Sequence, residues 1–130
     1  MDDKQTLYQS IKLFIAKWID ENKENIEHKN VCISVLRDEE TGLVVGFEND
    51  EVMAELVVEQ PNFAPYRFVS FEVAAIEDDR AKIVYSWYDD DNTSEQEIAD
   101  ALRSGIDFII NNENKWVNVG YNGYRTNVRL

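Results

Sequence analysis

Hydrophobic positions change their spacing along the chain, and each change marks an element. Leu7, Ile11, Phe14, Ile15 and Trp18 recur every three or four residues, with Asn22 continuing the series. That is the period of an α-helix burying one stripe, and it predicts a helix over residues 4–24 whose outer side balances lysines against acids. From residue 31 the pattern becomes short apolar runs separated by polar turns, at 31–36, 43–48, 51–59, 66–76 and 81–88. Such runs read as strands. Their connections, the longest being the loop around Pro61 and Pro65, are short enough to join consecutive antiparallel neighbours. The expectation is an antiparallel meander of about five strands.

A second helical period follows in Ile98, Leu102, Gly105 and Ile109. Thr93 or Ser94 supplies its N-cap, and Ser94 with Glu97 has the spacing of a capping box, in which each side chain accepts from a free backbone N–H of the other. Glu95 and Glu97 complement the positive end of the helix dipole. Gly105 inside a helix costs about 1 kcal/mol relative to alanine, so its presence predicts close approach to a strand. The helix is expected to stop in the cluster Asn111, Asn112 and Asn114. Beyond it, Asn122-Gly123 is the pair favoured in two-residue hairpin turns, where both positions need positive φ. It lies between two alternating segments, so Tyr121 would face Tyr124 and Val117 would face Val128. The fold class read from the pattern is α+β: an N-terminal amphipathic helix, the meander, a second helix and a C-terminal β-hairpin, in a single globular domain over residues 1–130.

Composition sharpens the picture through charge. The 130 residues are 44% hydrophobic and 12% aromatic, a globular composition, yet the net charge is −13. It is concentrated between Asp38 and Asp100, which hold eighteen Asp and Glu against Arg67, Arg80 and Lys82. Phosphate binding is driven by Lys and Arg releasing counterions, so nucleic acid is excluded as a partner, and anionic membrane surfaces are excluded on the same ground. No apolar run approaches a membrane span and no signal peptide is evident, which makes a cytoplasmic protein the expectation. Cys32, the sole cysteine, lies within an apolar run, where a buried small hydrophobe is expected.

Candidate chemistry is sparse. His28 and Cys32 are the only histidine and thiol, and neighbours so close at a strand edge point in different directions rather than forming a catalytic pair. The run from Asp89 to Glu95 is rich in oxygen ligands, but a calcium loop needs glycine at its sixth position and glutamate at its twelfth, where this chain has Ser94 and Asp100. A strand-to-helix connection that caps the helix explains the same residues. Glu55 and Glu72 interrupt apolar runs, and alternation puts them on the wetter faces of their strands. No catalytic residue, metal or cofactor is expected, and the chain reads as a non-enzyme.

Aromatic residues interleave with the acids. Ile83, Tyr85 and Trp87 are expected on one face of the fifth strand and Tyr88 on the other, while Phe63 and Tyr66 flank the proline loop. Exposed rings among carboxylates suit an interface with a basic protein, the rings anchoring and the acids steering. The candidate partner-binding residues are Asp38, Glu39, Glu40, Asp50 and Glu51, or Asp78, Asp79, Asp89, Asp90 and Asp91, together with Tyr66 and Tyr88. These acids fall in turns at strand ends, and the pattern leaves open whether the two groups converge.

In size, acidity and the stretch Phe71-Glu72-Val73-Ala74-Ala75-Ile76 through Tyr85-Ser86-Trp87-Tyr88-Asp89 into the helix of residues 94–110, the chain resembles the small acidic immunity proteins of bacterial polymorphic and contact-dependent toxin systems. The resemblance carries no site residues with it. It implies a non-enzymatic inhibitor that occludes a basic, nuclease-like toxin domain with carboxylates in place of phosphates. Two alternatives remain: a small acidic secretion chaperone that binds an effector segment along an apolar groove, and an anti-nuclease nucleic-acid mimic of viral origin.

Overall fold

The structure, a computed structural model, describes residues 3–77, 79–111, 116–118 and 127–129. Helix α1 spans Asp3–Glu27, and strands β1 (Cys32–Glu39), β2 (Gly42–Glu48), β3 (Val52–Glu59), β4 (Val69–Glu77) and β5 (Arg80–Tyr88) follow before helix α2 (Glu95–Asn111). The five strands form one antiparallel sheet in the order β1-β2-β3-β4-β5, the expected meander. Short strands β6 (Trp116–Asn118) and β7 (Asn127–Arg129) pair antiparallel with Val117 opposite Val128. The Asn122-Gly123 turn, and with it the hairpin as a whole, lies outside the described residues.

Both helices cover the same face of the sheet. Tyr8, Ile11, Ile15, Trp18 and Ile26 of α1 and Ile98, Leu102, Ile106 and Ile109 of α2 join Val45, Phe47, Leu56, Val58, Phe71 and Val73 in one buried cluster. Each large side chain fully buried there contributes about 1.5–3 kcal/mol. The stripe of α1 is rotated slightly from the expected one: Tyr8 is buried, whereas Leu7 is 44% exposed. A tyrosine can occupy such a position because its hydroxyl reaches the edge, here toward the Glu40 carbonyl.

Gly105 is required by packing. A Cβ there would lie 2.5 Å from Phe71 Cε2 and 3.1 Å from Tyr85 Cε1, so its absence lets α2 approach β4 and β5. The capping box forms as expected, with the Ser94 N–H donating to Glu97 Oε1 (3.0 Å) and the Glu97 N–H to Ser94 Oγ (3.1 Å). Asn49 ties the far end of α2 to the β2–β3 turn. Its Oδ1 accepts from the N–H groups of Glu51 and Val52, and its Nδ2 donates to the Ile109 carbonyl, satisfying a carbonyl that a helix end leaves free.

Each edge strand carries one extra residue, Leu36 in β1 and Val84 in β5. Bulges twist an edge and re-aim side chains, and the one at Val84 corrects an expectation. Ile83 does not share a face with Tyr85 and Trp87: it pairs with Ala74 and is 54% exposed, while Val84 and Tyr85 turn toward the core. Cys32 is also corrected. It is exposed, because β1 is an edge strand and its core contact is made by Val31.

Candidate functional site

Among the described residues both helices lie on one side of the sheet and none covers the opposite face, whose composition follows from the register. One row across the strands reads Ser34, Gly46, Glu55, Glu72, Ser86; the next reads Cys32, Glu48, Met53, Ala74, Ile83. On the other side of the first row lie Val44, Val57, Ser70 and Tyr88. Small residues at Ser34, Gly46 and Ala74 leave a depression between Leu36, Met53 and Ile83, forming a groove of about 350 Å³ that Glu48, Glu55 and Glu72 also line. Leu36 (60% exposed), Met53 (48%) and Ile83 (54%) are wet apolar side chains beside carboxylates. That combination suits a partner with both aliphatic and cationic groups, and Lys and Arg offer both in one side chain.

Among the described residues the groove's acids form no ion pair. The described residues form ion pairs at Lys12–Asp38, Arg37–Glu39, Arg67–Asp89 and Arg103–Asp100. None of these involves Glu48, Glu55 or Glu72, or Glu59 farther along β3, whose charge nevertheless acts on Arg37. Glu55 and Glu72 face each other directly across β3 and β4, an arrangement that places Cβ atoms about 5 Å apart. Two of the four are instead positioned by tyrosines. The Tyr88 hydroxyl donates to Glu72 Oε2 and the Tyr66 hydroxyl to Glu59 Oε1 (3.2 Å), with the two rings stacked at 6.1 Å. The hydrogen bond to Glu72, then burial and the carboxylate's charge, push the Tyr88 phenol above its usual range; burial, then the charge of Glu59, do the same for Tyr66.

The turn acids expected to bind are distributed differently from either proposed group. Alternating strand direction puts Asp38, Glu39, Glu40, Tyr66, Tyr88, Asp89, Asp90 and Asp91 at one end of the sheet and Asp50, Glu51 and Asp79 at the other. An eight-residue strand such as β3 separates the ends by about 26 Å, so each group is divided. Asp78 lies outside the described residues. Asp38 pairs with Lys12 (3.5 Å) and Glu39 with Arg37 (2.8 Å), which leaves their turn partly neutralised. Asp90 folds its own loop, accepting from the Asn92 N–H and the Thr93 hydroxyl, while Glu40, Asp50 and Asp91 are exposed.

Asp89 departs from the expectation altogether, being 1% exposed. Its Oδ1 accepts from the backbone N–H groups of Arg67, Phe68 and Val69 at 2.8–2.9 Å, and its Oδ2 binds Arg67 Nε at 3.0 Å. It holds the start of β4 to the end of β5 and is not available to a partner. Comparison with protein-family models, with curated proteins and with solved structures returns no match.

Glu48, Glu55, Glu59 and Glu72 were not among the expected partner-binding acids, although the signal was present. Residues 53, 55, 57 and 59, and 70, 72 and 74, alternate as faces opposite the core. What the sequence does not display is that none of the described helices covers that face.

Proposed function

We propose that this chain is a non-enzymatic protein-binding module that inhibits a basic, nuclease-like toxin domain in the manner of an immunity protein, using the outer face of its sheet. The observation that carries the reading is a set of outer-face carboxylates, Glu48, Glu55 and Glu72, which form no ion pair among the described residues and line an apolar groove. A phosphate-binding site presents Arg and Lys, and carboxylates fixed on a sheet can occupy it with charge-assisted, bidentate hydrogen bonds. The net charge of −13 would also accelerate encounter with a basic domain. An anti-nuclease mimic of viral origin would use the same contacts.

A secretion chaperone is the second reading, and the groove itself favours it, since apolar residues such as Leu36, Met53 and Ile83 suit an extended effector segment. The unbroken run of five strands between α1 and α2 weighs against it, because such chaperones generally place a helix midway through the strands. The two readings part on salt. The test is to mix the purified protein with the product of the neighbouring gene and to follow binding, and inhibition of any basic domain that product carries, as ionic strength rises. Inhibition that weakens steeply with salt supports the inhibitor; tight, salt-insensitive binding of an unfolded segment supports the chaperone.

A further inference from the structure

Phe63 is 98% exposed, while Phe47, Phe68 and Phe71 are at most 1% exposed and Phe14 and Phe108 pack against the core. It sits in the β3–β4 loop, at the end of the sheet that carries the Tyr66–Tyr88 stack and Asp90 and Asp91. The ring is held in water by a loop braced on both sides. At its base the Glu59 N–H donates to the Phe68 carbonyl (2.9 Å), Tyr66 is bonded to Glu59 and stacked on Tyr88, and Arg67 is locked to Asp89. Pro61 and Pro65 each fix a φ near −65°. A phenyl ring in full contact with water gains by burial, and one presented by a constrained loop loses little freedom when it binds.

The surroundings set the sign of whatever receives that ring. Glu59 stands at the base of the loop, and Asp3 and Asp91 line the depression between the loop and the start of α1 together with Lys4 and with Arg67, whose charge Asp89 neutralises, so acids outnumber bases around the loop. We infer that Phe63 is the anchor of the complex, entering an apolar pocket rimmed by Lys or Arg on the basic domain. The inference rests on the inhibitor reading given above and adds to it the residue that holds the complex together once charge has brought it into register. A second copy of this chain is the poorer occupant, because its own net charge of −13 would bring acids against acids. An anionic membrane surface is repelled for the same reason.

The test compares wild type with Phe63→Ser and Phe63→Leu against the product of the neighbouring gene, the candidate basic domain, by calorimetry and by dissociation rate, at low and high salt. Because the ring touches little of its own protein, all three should share one urea midpoint. Phe63→Ser should weaken binding by about thirtyfold or more, as loss of an interface anchor does. The loss should appear in the dissociation rate, with an unchanged salt slope and partial retention by Phe63→Leu. Wild-type binding that Phe63→Ser leaves unaltered overturns the anchor while the inhibitor reading stands. Failure of the wild type to bind at any salt removes the reading, and the anchor with it. Self-association of the wild type that Phe63→Ser abolishes overturns the anchor in favour of a homotypic contact.

Discussion

Glu55 and Glu72 stand directly opposite each other on β3 and β4 with no cationic partner among the described residues. Like charges at such a position oppose folding by about 0.2–1 kcal/mol. Glu55→Gln should therefore stabilise the protein by that amount in urea unfolding, and the gain should shrink as salt screens the repulsion. A loss of stability at low salt would mean that the pair is compensated in a way the described residues do not reveal.

Asp89 should behave in the opposite way. Its side chain is 0% exposed and that of Arg67 9%, and removing one partner of a buried pair costs about 3–5 kcal/mol. Asp89→Ala should lower the unfolding free energy by that order, because three backbone N–H groups and a guanidinium lose their acceptor. Asp91→Lys, two residues away and exposed, should change stability by no more than about 0.5 kcal/mol. Urea unfolding of both variants checks the contrast.

Gly105→Ala sets helix propensity against packing. Propensity favours alanine by about 1 kcal/mol, but the new Cβ would lie 2.5 Å from Phe71 Cε2 and 3.0 Å from Cδ2. Phe71 is 0% exposed and has little room to retreat, so overpacking at about 1–3 kcal/mol wins. The expected outcome is a lower melting temperature. A higher one would place the helix farther from the sheet.

The Tyr88 phenol reports on Glu72. Its hydrogen bond to that carboxylate, with burial and the negative charge, raises its pKa above the ordinary value of 10.0. A raised folded-state value stabilises the protein fully below the unfolded pKa near 10, and that contribution is lost as pH rises through the folded value. Glu72→Gln should bring the Tyr88 titration down toward the ordinary value, as followed by the NMR shift of its ring carbon bearing oxygen. An unchanged titration would separate Tyr88 from Glu72.

Most of the architecture was legible because it rests on local rules. The α1 stripe, the alternation of β2 to β4, the capping box at Ser94 and Glu97 and the meander follow from period and turn chemistry. Ile83 and Cys32 depart from expectation for different reasons: one inserted residue at Val84 reverses the faces that precede it, and Cys32 falls on the outer face of an edge strand, opposite Glu48, where no described residue buries it. The site was less legible because it is assembled across strands. Glu48, Glu55 and Glu72 belong to three strands and meet only through register. Asp89 resembles its acidic neighbours in sequence, and only the return of Arg67, Phe68 and Val69 to it makes it an internal brace.

The central claim is that charge on the outer sheet face, and not the total charge, directs binding. The most direct measurement compares Glu55→Gln/Glu72→Gln with the charge-matched Glu21→Gln/Glu24→Gln on exposed positions of α1, each titrated against the basic domain over a range of salt. The outer-face variant should lose affinity on the order of ten- to a hundredfold and show a shallower salt dependence, whereas the α1 variant should stay close to wild type. Equal losses in the two variants would contradict the account, because they would reduce the surface to its net charge.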